Sequence, residues 1–446
     1  MSLLRRHRDF RLLWTGETTS RFGTAVSGVA IPLVAISVLD ATTFQVGLLT
    51  AFAWLPWLVI GLPVGAWVDR LPRRPIMLTA AASSFLLLAL IPLAHLAGLL
   101  TVHLLLAAVV LTGVAAVLFQ TAYTAYLPTL IDPADHAEGN AKLHGSASAA
   151  QIAGAGCGGL IIQLAGPVNG LLVDAGTFLV ALACLAAIHH REPPRTPVGA
   201  GKPRPTPVRP GEPSRAPTQA GDPRRTPNPS AHPRPTITAE IAEGLRLVAR
   251  DVWLRTLTVF GAVSNLALMG YQSIAVVFLV REVGLTAGTV GALIAAAGSG
   301  GIVGAFAARR LMARLGTART ILVAELGLPT LALLIPLSTI SPWFYLAGAF
   351  SIGVGVVAGN VVKATFFQSY CPPDLLGRLT ATSSFVNYGT IPLGALLGGT
   401  LGQLLGLTPA LWITTAGIPL AGLVLLCSPI RTHRDLPSRQ TVTRDA

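Results

Sequence analysis

The chain has 446 residues, of which 52% are hydrophobic and 11% charged, with a mean hydropathy of +0.64 and a formal charge of +13. Length alone would read as two or three soluble domains, but repeated apolar runs of about twenty residues make lipid its natural solvent. The positive charge comes from 29 arginines and 3 lysines lying between apolar runs or in one proline-rich stretch, not in a basic groove interleaved with aromatics, which argues against nucleic acid as a partner.

In chain order, apolar helices are predicted at 12–39, 45–67, 76–98, 103–127, 143–165 and 169–189, then at 254–280, 289–308, 319–338, 343–367, 379–405 and 409–430. Each is long enough for a hydrocarbon core of about 30 Å at roughly 1.5 Å per residue. The basic start MSLLRRHRDFRLLW precedes a long helix with no small-residue cleavage site, so it reads as a retained first span. Between the halves, the Pro, Arg and Thr repetition of 191–236 cannot bury a core and reads as a disordered, partly polyproline tether; presenting a PxxP ligand is the alternative. Residues 237–251 place Ile241, Leu245 and Val248 on one face, as expected of a helix lying on the membrane surface. Cys157, Cys184 and Cys427 fall in apolar runs and Cys371 in a predicted loop, without CxxC spacing; neither a disulfide framework nor a metal site follows.

The expected fold is therefore an all-α integral membrane protein of twelve transmembrane helices in two pseudo-symmetric six-helix halves, 1–190 and 252–430, followed by a tail at 431–446. With this threading, 29 of the 32 basic residues fall on one side, which the positive-inside rule makes cytoplasmic, with both termini inside. Arg281 is the single cation in an opposite-side connection. The halves repeat at an offset of 240: Gly154, Gly158 and Gly159 correspond to Gly394, Gly398 and Gly399, and Pro133 to Pro373. Gly65-Ala66-Trp67 is echoed by Gly304-Ala305-Phe306 at an offset of 239. Duplicated six-helix halves are the architecture of alternating-access carriers, with substrate held between them near mid-membrane.

The stretch GAWVDRLPRR places Gly65, Asp69, Arg70, Arg73 and Arg74 in the form GxxxDRxxRR and resembles the loop between the second and third helices of the major facilitator superfamily. FRLLWTGETTSRFG (10–23), DAGTF (174–178) and QSYCPPDLLGRLTA (368–381) resemble its drug and siderophore exporter branch more narrowly. The resemblance implies that Asp69 latches the cytoplasmic side across the interface between halves, with the start of the eleventh helix after Gly377-Arg378 as its partner; Arg378 joins the gate set. Physically, an acid at a helix C-terminus is unfavourable unless it meets positive charge, whereas the arginines complement that end; topology alone is the competing account. Ala308 stands where Asp69 would map in the second half, so any latch is one-sided. GAGCGG (154–159) matches GxGxxG literally, but it lies within an apolar helix, where glycines allow close helix approach. By resemblance it is the antiporter signature of the fifth helix, with Ala155 in place of proline. The absence of a Walker GxxxxGK sequence argues against an ATP-driven pump.

Ionisable residues inside spans cost several kcal/mol unless paired or wetted, which makes them functional candidates. Glu17 and Arg21, at i and i+4 on the first helix, form either a neutralising pair or a proton-coupling carboxylate with its cation. Relatives in the exporter branch carry an amide at the Glu17 position and an acid at that of Thr24, which implies that coupling has moved to Glu17 or been lost. Asp174 reads first as a dipole-complementing acid at the start of the sixth helix, and second as a coupling candidate. Glu325 and Lys363 lie deep in the ninth and tenth helices. Gln120, Tyr123, Asn265, Tyr271, Gln272, Asn360 and Asn387 are the polar candidates for a central cavity, with interhelical hydrogen bonding as the alternative. His95 and His103 flank an external connection and read as interfacial.

These features point to a proton-coupled exporter of small amphipathic organic compounds, working as a monomer by rocking of its two halves in the cell membrane. An importer or uniporter of the same fold is the first rival, and a sensor or scaffold that has lost transport is the second. No nucleophile, base and oxyanion constellation is visible, so neither enzyme chemistry nor a cofactor is expected.

Overall fold

The computed structural model describes residues 3–68, 70–189, 246, 248–371 and 373–437, side chains at 62, 66, 373–378 and 381 excepted. Twelve helical segments cross the molecule among these residues, and no strand occurs among them. The first half contains α1 (Arg8–Ser37), α2 (Thr43–Val59), α3 (Arg73–Leu96), α4 (Val102–Leu130), α5 (His136–Ala165) and α6 (Pro167–Ala186). The second contains α7 (Val252–Arg281), α8 (Ala287–Leu315), α9 (Thr317–Leu322, continued irregularly to Thr339), α10 (Pro342–Tyr370), α11 (Pro373–Leu405) and α12 (Leu407–Ala421). Ten of the segments, with their extensions, are long and apolar enough to cross a bilayer, and α2 is a shorter apolar helix. The chain is a multi-pass membrane protein.

Each half is a bundle of its own, with α1 packed on α5 and α6, and α7 on α11 and α12; the halves meet where α5 crosses α8 and α2 crosses α11. Alternating helices define two faces. The chain enters and leaves each half at one, here the terminal face, where Arg6 pairs with Asp135 at 3.2 Å and Tyr370 donates to Asp251 at 2.5 Å. The connections around Asp40, Gly166, Gly284 and Gly406 form the far face.

Several boundaries differ from the sequence expectation, each for a local reason. The second span, expected unbroken over 45–67, breaks at Ile60 and resumes as Gly61–Val68. Pro63 has no N–H to offer the Val59 carbonyl, and its ring crowds that oxygen. α5 begins at His136 rather than 143, because its first two turns are polar and escape a hydropathy criterion; Glu138 there accepts from the Leu3 amide at 3.2 Å. The ninth span passes through a π turn at Val323–Gly327 and a 3-10 stretch at Leu328–Thr339. Pro329 and Pro336 each remove one helical donor there. The final span ends its regular helix at Ala421 and adds a short turn at Leu423–Leu426.

The proposed tether at 191–236 and most of the proposed surface helix at 237–251 lie outside the described residues. Of that helix, Arg246 and residues 248–250 are helical and Val248 is buried. Asp251 caps α7, accepting from Trp253 and Leu254 amides at 2.8 and 3.0 Å. Residues 431–437 fold back: Asp435 accepts from the Thr317 amide at 2.9 Å, and Leu436 is buried against the second half.

Candidate functional site

The far face is shut by two matching seams between the halves. A β-carbon at Gly159 of α5 would stand 2.7 Å from the Gly291 Cα of α8, and one at Gly47 of α2 would stand 2.7 Å from the Gly399 Cα of α11. At such spacing the backbones touch and only glycine fits. Gly159 and Gly399 are partners under the 240 offset, so one device is used twice. The remaining repeat glycines serve packing within a half: Gly154 and Gly158 face Phe22 and Val26 of α1, while Gly394 and Gly398 face Leu266 and Gly270 of α7. Hydrogen bonds reinforce the closure. Gln163 Oε1 accepts from the Gly288 amide at 3.1 Å and the Thr286 hydroxyl at 3.2 Å, and Arg281 donates to the Ala41 carbonyl at 2.9 Å.

Two cavities lie between the middle of the bundles and the terminal face, one per half. The first, about 250 Å³, is lined by α1, α4 and α5, including Glu17, Arg21, Gln120, Tyr123, Asn140 and His144. Arg21 Nε donates to Glu17 Oε1 at 2.7 Å, and an Nη donates to Gln120 Oε1 at 2.6 Å. The guanidinium side chain is 44% exposed, whereas the Glu17 side chain is 6% exposed. Helix spacing fixes the pair, since residues four apart share one face.

The second cavity, about 460 Å³, is lined by α7, α9, α10 and α11, including Asn265, Glu325, Asn360, Lys363, Asn387 and Tyr388. Lys363 Nζ lies 2.9 Å from Glu325 Oε1 and 5.4 Å from the Phe260 ring centroid. Its side chain is 19% exposed and that of Glu325 is 3% exposed. Glu325 sits in the π turn of α9, and its carboxylate occupies the space beside Gly359, where a β-carbon would overlap it. Asn265 donates to Asn387 at 3.4 Å, and Asn387 donates to the Ser383 carbonyl at 2.7 Å. The cavities are related by the 240 offset: Gln120 matches Asn360, Tyr123 matches Lys363, His144 matches Ser384 and Ala147 matches Asn387. Applied to polar residues, that offset would have found Asn140 with Thr380 and His144 with Ser384, which single-helix reading missed.

Other candidates fall elsewhere. Tyr271 is buried and paired with Tyr345, and Gln272 is exposed outside both cavities. Asp174 is not an end-of-helix cap: it lies seven residues into α6, buried, with its carboxylate accepting from Ser27 at 2.5 Å and Thr177 at 3.2 Å. Around the signature loop, Asp69 and the Arg378 side chain lie outside the described residues, and Gly65 faces open space. Arg70 is exposed. Arg73 donates to the Ala125 carbonyl of α4 at 2.8 Å, and Arg74 to the Leu185 and Ala186 carbonyls at the end of α6 at 3.2 and 2.8 Å. These two arginines thus serve the C-terminal ends of neighbouring helices, rather than only that of the second span. α11 begins at Pro373, so Gly377 and Arg378 lie within its opening turns. Ala308, the counterpart of Asp69, is fully buried beside Ala324 and Ala358. His7, Asp132 and Asp135 converge within 4.8 Å on the terminal face, but Asp135 is already engaged by Arg6 and His7.

Comparison with known proteins gives a consistent result. Residues 13–393 match the Major Facilitator Superfamily. The multidrug efflux pump Tap of Mycolicibacterium fortuitum is 26% identical over 443 residues, covering 96% of this chain and 97% of the pump. The enterobactin exporter EntS of Salmonella typhi is 24% identical over 451 residues, covering 98% and 96%. Among solved structures, a bacterial homologue of the iron transporter ferroportin in its inward-facing state superposes with a TM-score of 0.69 at 15% identity, covering 96% of this chain and 99% of that one. The nucleoside transporter NupG superposes with a TM-score of 0.67 at 8% identity, covering 95% and 99%.

Proposed function

Because the chain belongs to the major facilitator superfamily, whose members are membrane transporters, we propose that it exports small amphipathic organic compounds by proton antiport and alternating access. The observation that carries this reading is the pairing of a far face shut by two glycine seams with two cavities that run toward the terminal face, each holding one ion pair. A carrier needs such a compartment open to one side. Two full-length relatives that bear the names of exporters support the outward direction. With the terminal face cytoplasmic, as the distribution of basic residues supports, the structure is the inward-facing state of a plasma-membrane carrier.

In this scheme Glu17 is the leading proton-coupling group, with Arg21 its cation; Asp174, Glu325 and Lys363 are the other members of the set. Glu17 lines the first cavity beside Arg21, so rocking of the halves brings the pair alternately to the two sides of the membrane. Gln120, Tyr123, Asn265, Asn360 and Asn387 line the substrate compartment. Asp69, with Gly65, Arg70, Arg73, Arg74 and Arg378, latches the cytoplasmic side in the outward-facing state. The segment 191–236 tethers two halves that work within one monomer. The test is solute movement in inside-out vesicles under an imposed pH gradient, acid inside. Uptake of amphipathic compounds with proton release supports export, uptake without proton movement indicates a uniporter, and no flux with any member of a broad panel supports the sensor alternative.

A further inference from the structure

Both cavities present the positive end of an ion pair and hide the negative end. Arg21 and Lys363 are 44% and 19% exposed, whereas their carboxylate partners Glu17 and Glu325 are 6% and 3% exposed. Among the described lining residues these two are the only acids. An organic cation entering either cavity would meet a like charge at the wall, with the acid it needs lying behind. An organic anion meets the donors directly.

The two cations are not equally available. Arg21 is held on two sides by short bonds, at 2.7 Å to Glu17 and 2.6 Å to Gln120. Lys363 has three N–H donors and one described anionic partner, Glu325. It also faces the larger cavity, among the side-chain amides of Asn265, Asn360 and Asn387. That cavity extends to Tyr388, whose ring centroid lies 6.2 Å from those of both Trp54 and Trp57 on α2. Ammonium, amides and an aromatic wall together form a site for a flat apolar body bearing one negative group.

We infer that the transported compound is an amphipathic organic anion, its carboxylate, sulfonate or phenolate seated on Lys363 and its apolar body against Tyr388, Trp54 and Trp57. Glu325 is then a positioning residue that holds the ammonium at the cavity wall. This refinement rests on the transport reading, and binding and flux are measured separately so that the two stand or fall apart.

The probes are 8-anilinonaphthalene-1-sulfonate and N-phenyl-1-naphthylamine, which differ only in the sulfonate, with ethidium as the cation and empty nanodiscs as the lipid control. Purified protein in nanodiscs is expected to prefer the sulfonate by about tenfold or more, as one charge-assisted hydrogen bond provides. Lys363→Met alone leaves Glu325 unpaired and is prone to misfold, so the test variant is Lys363→Met with Glu325→Gln. It should lose the preference while its affinity for the neutral probe changes less than about threefold, and Lys363→Arg should retain the preference. Equal affinity of the wild type for the two naphthylamines, survival of the preference in the double variant, or tighter binding of ethidium would overturn the proposal. In proteoliposomes, a sulfonate that binds selectively but is not moved by a pH gradient counts against the export reading alone. Gradient-driven movement of ethidium without sulfonate preference counts against the anion seat alone.

Discussion

The two half-cavities are built from matching helices and matching positions, yet they hold their charges differently. In the first, acid and base lie one turn apart on α1, with Gln120 steadying the base; in the second, Glu325 reaches from α9 to Lys363 on α10. An i,i+4 pair survives any rigid motion of its helix, and a cation 44% exposed keeps access to water. A pair that spans two helices, with its acid 3% exposed in a π turn, ties those helices together. On the proposed reading, proton exchange belongs to the first half and substrate anchoring to the second, while the two glycine seams, which join the halves by the same device, serve the motion they share.

The seams offer the largest effect. Gly159→Leu and Gly399→Leu each insert bulk into a backbone contact that closes the far face, so on the alternating-access reading overpacking of about 1–3 kcal/mol should shift the conformational balance about tenfold or more and nearly stop transport. Because the seams are equivalent, the two variants should agree within about threefold, and a larger disparity in proteoliposome flux would break the symmetry.

The ion pairs come next, and here the halves should disagree. Glu325→Gln leaves a mostly buried ammonium without its acid and should cost about 3 kcal/mol, seen as a lower thermal midpoint in detergent. Glu17→Gln leaves Arg21 solvated and still bound to Gln120, for a cost below about 1 kcal/mol. Equal destabilisation by the two changes would remove the distinction between the halves.

On the latch reading Asp69 acts outside both cavities, so Asp69→Asn should reduce transport severalfold while equilibrium binding of anilinonaphthalene sulfonate stays within about threefold. A binding loss as large as the transport loss would place Asp69 in the substrate path. The smallest effect is expected from deleting residues 200–230, whose composition supports no packing: insertion and transport should change by less than about twofold. Loss of folded protein would overturn the tether reading.

The spans were legible because twenty apolar residues leave lipid no alternative, and the 240 offset made the duplication visible. What hydropathy missed lies where its premise fails. The first turns of α5 are helical but polar, and Pro63 breaks an apolar run from within. From sequence Asp174 reads as a cap because its neighbours toward the N-terminus do not mark the helix start, whereas α6 starts at Pro167 and seats the acid between hydroxyls on α1 and α6. The cavity was half legible for a related reason. A helix that is apolar on every side carries no azimuthal signal, so Asn265 and Tyr271, both on α7, looked alike, although one lines the second cavity and the other is buried against Tyr345. The Glu17–Arg21 pair was readable because it is local in sequence; the Glu325–Lys363 pair joins residues 38 positions apart, and nothing short of packing brings them together.

The central claim, that Glu17 carries the coupled proton, is tested most directly by Glu17→Gln in proteoliposomes assayed for both gradient-driven accumulation and downhill exchange of one substrate. The substitution removes the titrating group and keeps the shape, so accumulation should vanish while exchange persists. Pairing it with Arg21→Gln removes the cation as well and separates coupling from simple neutralisation. The account predicts that the double variant folds, exchanges and does not accumulate; a double variant that still accumulates substrate against its gradient would contradict it and pass the role to Asp174 or Glu325.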